Sequence, residues 1–345
     1  MSKARELASL GNAYSDGALS NRNLIINGAM QVAQRGTTGT STGGGYLSVD
    51  RYSYVRSGYT PSMTRSQEVD GPAGFSNSYK ALTAAAAAVP VSGYASIFQT
   101  IEAQNLQHLN YGSADAAPIT LSFWVKSNVT GTFAVSAVTF DTSIMYNSLT
   151  YTVSSANTWE YKTVTFAGQT VNAIDNDNGA GLRIEWCLSS GTDYTSGSNG
   201  VWSTSASNRF AGHATDITGT LNNYLAITGV QLEVGDTATP FEHRSYGQEL
   251  ALCQRYYEVI GDGIGSNAVA GICQDGIASF SFSFPTKTFS LPWKVTKRVA
   301  PSVTYSTMSG SLVPNTFIDT SAIVFQTTGG SNWGYYNNIK ADAEL

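Results

Sequence analysis

Aromatic side chains beside short polar ones form one pattern in this sequence that is suited to ligand binding. Tyr194 and Trp202 flank a stretch rich in serine, glycine and asparagine, which contains Asn199. The apolar face of a pyranose stacks on an aromatic ring, while its hydroxyl groups hydrogen bond to short polar side chains. We therefore take Tyr194, Asn199 and Trp202 as candidate carbohydrate-contact residues. Packing against another subunit and incidental burial are the alternative roles for the two aromatic rings.

Two glycine-rich motifs resemble catalytic or cofactor-binding loops but lack the surroundings that such loops need. Residues 39–43 match G-x-S-x-G, yet a nucleophile elbow requires a strand before and a helix after the serine, and the low-complexity loop 37–45 has neither. Residues 261–265 begin like a dinucleotide loop, but Ser266 replaces the last glycine and no βαβ unit surrounds it. We assign no catalytic residue and no cofactor.

The oxygen-rich loop 175–179 is the one candidate for a metal. Calcium prefers such ligands, but an EF-type loop needs a bidentate glutamate where this chain has Trp186. A surface Asx turn is the main interpretation, and a calcium site of another type is the alternative. The histidines are too scattered for a catalytic triad or a three-histidine metal site: His108, His213 and His243.

Acidic side chains and cysteines are the remaining candidates for catalytic or metal-binding roles. A glycosidase needs two carboxyl groups that distant strands can bring together, and Asp141, Glu160 and Glu185 are the candidates. A polysaccharide depolymerase is therefore a minority hypothesis. The cysteines show no C-x-x-C spacing and are predicted to be buried, without a disulfide or a zinc ion: Cys187, Cys253 and Cys273.

Composition excludes several classes of partner. Only 12% of the 345 residues are charged, about half the usual share, while serine and threonine fill 78 positions. A net charge of −5 offers no basic surface for nucleic acid. The longest apolar run, residues 84–91, is far too short to span a membrane. No signal peptide is visible at the amino terminus, so we expect synthesis in the cytoplasm without secretion.

The elements that position these residues are mainly β-strands. From residue 24 to about 242, apolar and polar residues alternate, most clearly around Ile119, Leu121, Phe123 and Val125. Eight to ten such strands without intervening helices predict an all-β, antiparallel β-sandwich of the jelly-roll kind. Three tryptophans in these strands are assigned to packing in the core or on a sheet face: Trp124, Trp159 and Trp186.

One helix is predicted from Ser245 to about Glu258, because apolar residues recur there at helical spacing. Strand alternation resumes after it, most clearly over residues 277–284, and predicts a second, smaller β domain. A short helix over residues 3–10 is a candidate anchoring element. The predicted organisation is an N-terminal segment 1–22, a β-sandwich 23–244, a linking helix 245–261 and a C-terminal β domain 262–345.

Several segments resemble the conserved opening and core motifs of bacteriophage tail-fibre and related virion proteins. The first has the spacing of "NLLINGxFxxxQRG…ADRW", with Val49 and Tyr52 in place of the usual alanine and tryptophan. The resemblance covers about two thirds of the chain. The matching segments are NLIINGAM at 23–30, QRG at 34–36, SVDRY at 48–52, LSFWVKS at 121–127, ITGVQLEVG at 227–235, ATPFEHRS at 238–245 and ELALCQRYY at 249–257.

This resemblance implies a carbohydrate-binding-module-like β-sandwich, generally without enzymatic activity, in a trimeric or otherwise oligomeric part of a virion. It implies a tight turn at Asn27 and Gly28, and a structural ion pair or hydrogen-bond anchor at Asp50 and Arg51. The N-terminal segment is the expected attachment to other virion proteins. Its candidate anchor residues are Lys3, Arg5, Leu7 and Leu10.

Together, the residues and the resemblance predict a phage virion structural protein, a tail-fibre-like adhesin for host attachment that binds cell-surface polysaccharide. A capsid decoration, head-fibre or tail-assembly protein without a glycan ligand is the alternative. The expected assembly is a homotrimer within the virion.

Overall fold

The computed structural model describes Lys3 and residues 22–260, 271–272, 278–282, 287–304, 307–309, 312–327, 332–337 and 339–345. The chain divides into two compact units between Ser245 and Tyr246. Of the predicted anchor residues, only Lys3 is described, and it is exposed. Arg5, Leu7 and Leu10 lie outside the described residues, as do the loop 261–265 and the side chain of Cys273.

Antiparallel strands form the first unit, and they confirm the predicted β-sandwich. Two six-stranded sheets have the orders β1-β4-β5-β12-β7-β10, named sheet 1, and β2-β3-β6-β11-β8-β9, named sheet 2. The strands are β1 Thr38–Ser41, β2 Gly45–Tyr46, β3 Ser53–Ser57, β4 Ser62–Glu68, β5 Ser78–Ala85, β6 Tyr94–Glu102, β7 Ile119–Ser127, β8 Gly131–Thr139, β9 Met145–Val153, β10 Glu160–Phe166, β11 Ala180–Ser190 and β12 Tyr224–Val234. A 3-10 helix spans Ala103–Leu109, and the loop after β11 holds a helical turn, α1 Thr192–Thr195, and a second 3-10 helix, Ala206–Asn208.

The core lies between the two sheets and follows the predicted alternation. Leu121 and Phe123 of β7 and Ile184 and Trp186 of β11 are all fully buried. Burial of each large apolar side chain contributes about 1.5–3 kcal/mol, so these inward faces hold the sheets together. Residues between them, such as Trp124, point away from the core because successive side chains of a strand face opposite sides.

Two short edge strands were not predicted. The segment 37–45, interpreted as a loop, contains β1 and the start of β2, so the first unit has more strands than the expected eight to ten. Strand β1 pairs with β4, and the hydroxyl groups of Thr40 and Thr64 lie 2.7 Å apart. Glycine, serine and threonine carry no apolar alternation, and the pairing partner supplies the strand conformation instead.

The motif near the amino terminus forms a buried turn. Asn27 has a φ of 60°, and its side-chain amide donates to the carbonyl oxygens of Val32 and Asp50 at 2.8 and 3.0 Å. The Asp50 carboxylate accepts from the backbone N–H of Gln34 at 3.0 Å. The buried Arg51 guanidinium donates to the carbonyl oxygen of Thr100 at 2.6 Å. This segment therefore ties the turn to the strand β6.

The second unit begins with a helix that ends earlier than predicted. Helix α2 spans Tyr246–Gln254, and Tyr257 and Glu258 belong to a strand because they pair with Asp342 and Ala341. Three small antiparallel sheets follow, with orders β13-β22-β17, β14-β15-β21-β18 and β16-β20-β19. The strands are β13 Tyr257–Ile260, β14 Gly271–Ile272, β15 Ala278–Phe282, β16 Lys287–Pro292, β17 Ser302–Thr304, β18 Thr307–Ser309, β19 Leu312–Ile318, β20 Ala322–Thr327, β21 Asn332–Asn337 and β22 Ile339–Asp342. Among the described residues, no helix is long and apolar enough to cross a membrane.

Candidate functional site

The segment after β11, residues 191–217, carries the three predicted carbohydrate-contact residues and covers the outer face of sheet 2. Tyr194 is half-buried, and its ring packs edge-on against Tyr94 at a centroid distance of 4.8 Å. The fully buried Phe210 lies in the same cluster, together with Ala134 and Cys187 from the outer face of the sheet. Tyr194 therefore helps to seal this face.

Trp202 and Asn199 lie at the edge of the sandwich. Trp202 is half-buried rather than exposed, because its indole N–H donates to the carbonyl oxygen of Ala167 at 2.7 Å and its ring packs edge-on against Tyr111 at 6.1 Å. The exposed Asn199 amide donates to the Thr150 hydroxyl at 3.2 Å. Tyr194, Asn199 and Trp202 therefore contact different neighbours and do not form one exposed aromatic surface.

The outer face of sheet 1 presents aromatic rings to solvent. Tyr161 of β10 stands directly opposite Trp124 of β7, and their ring centroids lie 5.4 Å apart at an interplanar angle of 53°. Tyr161 is 46% exposed, and Trp124 is half-buried. Trp159 lies one residue before β10 and is also half-buried. We call Trp124, Trp159 and Tyr161 the aromatic face.

Polar groups are held beside these rings. The Asp70 carboxylate accepts from the Lys126 ammonium at 2.5 Å and from the Trp159 indole N–H at 3.3 Å. The hydrogen bond from Lys126 lowers the pKa of Asp70, so this carboxylate stays charged. The Lys126 ammonium also lies 5.4 Å from the centre of the Trp159 ring, a cation–π contact.

A second cation and a phenol extend the same surface across sheet 1. The Lys80 ammonium lies 4.7 Å from the centre of the Tyr224 ring. The Tyr224 hydroxyl donates to the Asn157 side-chain oxygen at 2.7 Å, and burial raises the pKa of this tyrosine. Hydrogen-bond donors and acceptors therefore surround the aromatic face.

One glycine lets the aromatic rings approach the sheet. Gly229 of β12 has a φ of 58°, and a Cβ atom there would lie 2.7 Å from the Phe75 ring and 3.0 Å from the Trp124 ring. Such distances are shorter than van der Waals contact, and the left-handed conformation also favours glycine. Gly229 thereby allows the Phe75 and Trp124 rings to approach the backbone of β12 closely.

The candidate acid residues have separate partners. Glu185 is fully buried and is hydrogen-bonded to Arg209 at 2.7 and 2.9 Å. The Glu160 carboxylate accepts from the backbone N–H groups of Ser154 and Ser155 and pairs with Lys162 at 2.7 Å. Asp141 accepts from the backbone N–H of Asp175. The carboxylates belong to different strands and turns, and each is held by its own neighbours.

The loop 175–179 contains the predicted Asx turn, in which the Asp177 carboxylate accepts from the backbone N–H of Gly179 at 2.8 Å. Burial raises the pKa of Asp141, and the nearby charges of Asp175 and Asp177 add to this effect. Across the part of the chain that the structure describes, no group of three or more histidine, cysteine or acidic side chains is arranged to hold a metal ion. Cys187 and Cys253 are buried, as predicted.

Sequence reasoning missed the aromatic face as a site. It assigned Trp124 and Trp159 to packing. The alternation of side chains along each strand nevertheless places Trp124 on the outward face of β7, because its neighbour Phe123 is buried, and places Tyr161 on the outward face of β10. The sequence contains no signal for the pairing of β7 with β10, and this pairing brings the two rings together.

Comparisons with known proteins give distant structural similarity. No protein-family model matches the chain, and no curated protein matches it either. A solved tailspike domain of bacteriophage CBA120, described as enzymatically active, shares 14% identity at a TM-score of 0.34; the match covers 62% of this chain and 21% of that one. A family 11 carbohydrate-binding module of a Clostridium thermocellum cellulase shares 11% identity at a TM-score of 0.30, covering 60% of this chain and 98% of the module. A family 4 carbohydrate-binding module shares 12% identity at a TM-score of 0.31, covering 61% and 99%.

Proposed function

We propose that this chain is a non-enzymatic structural protein of a phage virion, a tail-fibre-like adhesin that binds host cell-surface polysaccharide through the aromatic face. The observation that carries the proposal is the contact between the exposed Tyr161 and the half-buried Trp124 on the outer face of sheet 1. Asp70 and Lys126 stand beside this pair and supply hydrogen-bonding groups of both kinds.

The physical argument is a match between surface and ligand. The apolar face of a sugar ring stacks on an aromatic ring. The hydroxyl groups around its edge need hydrogen-bond donors and acceptors. The cross-strand pair of Trp124 and Tyr161 offers two neighbouring rings, and Asp70 accepts hydrogen bonds while Lys80 and Lys126 donate them. A site of this kind is shallow, so we expect single-site dissociation constants of about 1 mM, which many copies on one particle strengthen by roughly 10²- to 10⁴-fold.

The virion role rests on the resemblance of the segments at 23–52, 121–127 and 227–257 to tail-fibre motifs. The proposed assembly is a homotrimer made in the host cytoplasm and attached to other virion proteins through residues 1–22. The proposed absence of enzymatic activity rests on the separate partners of Asp141, Glu160 and Glu185. A glycosidase needs two carboxyl groups about 5–10 Å apart that face one substrate.

Gel filtration of host-surface polysaccharide with the purified protein tests the proposal. We expect the protein to elute with polysaccharide of unchanged length, and Trp124→Ala or Tyr161→Ala to weaken this association by about tenfold, since each removes a stacking ring. Tyr246→Ala is the matched control, because Tyr246 is 57% exposed and belongs to the other unit. Shortened polysaccharide would identify a depolymerase. Absence of co-elution with the wild-type protein would favour a capsid decoration or assembly role.

A further inference from the structure

Two arginines share one buried carboxylate on the outer face of sheet 2. Arg183 and Glu185 project from β11 on the same side, and Arg209 reaches them from the covering segment 191–217. Glu185 accepts from Arg183 Nη1 at 3.3 Å and from Arg209 Nη2 at 2.7 Å through the same oxygen, Oε1. Its second oxygen accepts from Arg209 Nε at 2.9 Å. The two guanidinium groups are therefore close neighbours.

The charges of this cluster do not cancel. Among the described side chains, Glu185 is the one carboxylate in ion-pair contact with either guanidinium group. Two positive charges thus face one negative charge. The Glu185 side chain is 0% exposed, whereas those of Arg183 and Arg209 are 19% and 12% exposed. A largely buried charge without a partner is costly, and here the excess positive charge lies on the solvent side of the buried carboxylate.

Aromatic rings hold both cations in place. The Arg183 guanidinium lies 4.1 Å from the centre of the Phe98 ring and 4.8 Å from that of Phe140. The Arg209 guanidinium lies 4.2 Å from the Tyr94 ring centre. Such stacking fixes the plane of each guanidinium and reduces the entropy lost on binding.

Donor groups remain for a ligand. Arg183 uses Nε on the Thr100 hydroxyl, at 3.1 Å, and Nη1 on Glu185. Arg209 uses Nε and Nη2 on Glu185. Among the described residues, one terminal nitrogen of each guanidinium has no hydrogen-bond partner. An oxyanion with at least two acceptor oxygens is the chemical group that two such donors recognise.

We propose that Arg183 and Arg209 bind an oxyanion carried by the polysaccharide, either the carboxylate of a uronic acid residue or a sulfate substituent, so that the chain recognises an acidic glycan. The inference rests on the proposed glycan ligand but uses a different surface, because the aromatic face lies on sheet 1. The two surfaces can therefore be tested separately.

Affinity electrophoresis in gels that contain polygalacturonate, dextran sulfate or neutral dextran tests the inference. We expect the wild-type protein to be retarded by at least one acidic polymer more strongly than by dextran, and the two acidic arms to distinguish carboxylate from sulfate. Arg183→Gln removes the excess charge and leaves the Glu185–Arg209 pair intact, so we expect about tenfold weaker retardation by the acidic polymer. Lys340→Gln is the control, because Lys340 is exposed, lies in the other unit and changes the net charge equally.

A second variant separates charge from folding. Glu185→Gln keeps the side-chain shape and removes the negative charge, so we expect stronger retardation by the acidic polymer, provided that thermal melting shows a folded protein. Equal retardation of wild-type and Arg183→Gln proteins, or equal retardation by acidic and neutral polymers, would overturn the inference. If Arg183→Gln has no effect while Trp124→Ala weakens binding, the acidic-glycan inference fails and the proposed aromatic site stands. The opposite result would remove the aromatic site and keep the arginine site.

Discussion

Acid is expected to destabilise the first unit through one buried histidine. His213 is 7% exposed, and its Nδ1 accepts a hydrogen bond from the backbone N–H of Ala134 at 3.1 Å. An imidazole nitrogen that accepts a hydrogen bond carries no proton, so protonation requires this bond to break. Burial lowers the pKa of His213 from 6.5 to about 4, although the charge of Asp216 acts in the opposite direction.

The size and sign of the effect follow from this pKa. A histidine of the unfolded chain takes up its proton near pH 6.5, whereas the folded protein resists protonation until about pH 4. The stabilisation is therefore complete above pH 6.5 and is lost as the pH falls toward 4. Each pKa unit corresponds to about 1.4 kcal/mol, which gives a loss of roughly 2–3 kcal/mol between pH 7 and pH 4.5.

Urea unfolding of wild-type and His213→Gln proteins at pH 7 and pH 4.5 measures this loss. Glutamine can accept the same hydrogen bond but does not titrate, so the variant should lose about 2–3 kcal/mol less than the wild type over this range. His243→Gln is the matched control, because His243 is exposed. An identical pH dependence in wild-type and His213→Gln proteins would refute the argument.

Three further substitutions have defined outcomes. Gly229→Ala should weaken polysaccharide binding and reduce stability by roughly 1–3 kcal/mol, because the added methyl group displaces Phe75 and Trp124, and Trp124 belongs to the aromatic face; unchanged binding in a folded variant would contradict this. Trp202→Phe loses the hydrogen bond to Ala167 and should lower the free energy of unfolding by about 1–3 kcal/mol without changing glycan binding, whereas lost binding at unchanged stability would make Trp202 a sugar contact. Lys297→Met leaves the fully buried Glu258, 2.5 Å from the lysine ammonium, without its cation and should cost about 3–5 kcal/mol in thermal or urea unfolding; an unchanged melting temperature would show that the pair is dispensable.

The sequence predicted the fold class because burial on one side of a strand produces a visible alternation. Around Phe123 and Trp186 this alternation identified strands and their inward faces correctly. The predicted end of helix α2 was wrong, because Tyr257 and Glu258 also fit a helical spacing. They form a strand because they pair with β22, and this pairing is not visible in the sequence. Long-range pairing overrides local preference at such positions.

The candidate sites depend on contacts between segments that are far apart in the chain. The residue types of Trp124 and Tyr161 were visible, but their proximity follows from the register of β7 against β10. The contact of Arg209 with Glu185 follows from the path of the covering segment, which contains few apolar residues and no periodicity. Sequence patterns report which side of an element is buried, and they do not report which loop folds over it.

The loop that covers the edge of sheet 2 protects the protein from aggregation. Strand β9 is the last in its sheet, yet the backbone N–H and C=O groups of Tyr146 pair with Ser203, and the carbonyl oxygen of Ser148 accepts from Gly200. An uncovered strand edge is a template for aggregation, and proteins often protect it with lysine residues. Because only 12% of the residues in this chain are charged, the covering loop protects the strand edge in place of lysine residues. We expect that loosening this loop would lead to edge-to-edge association of neighbouring molecules at high local concentration, before any loss of the core.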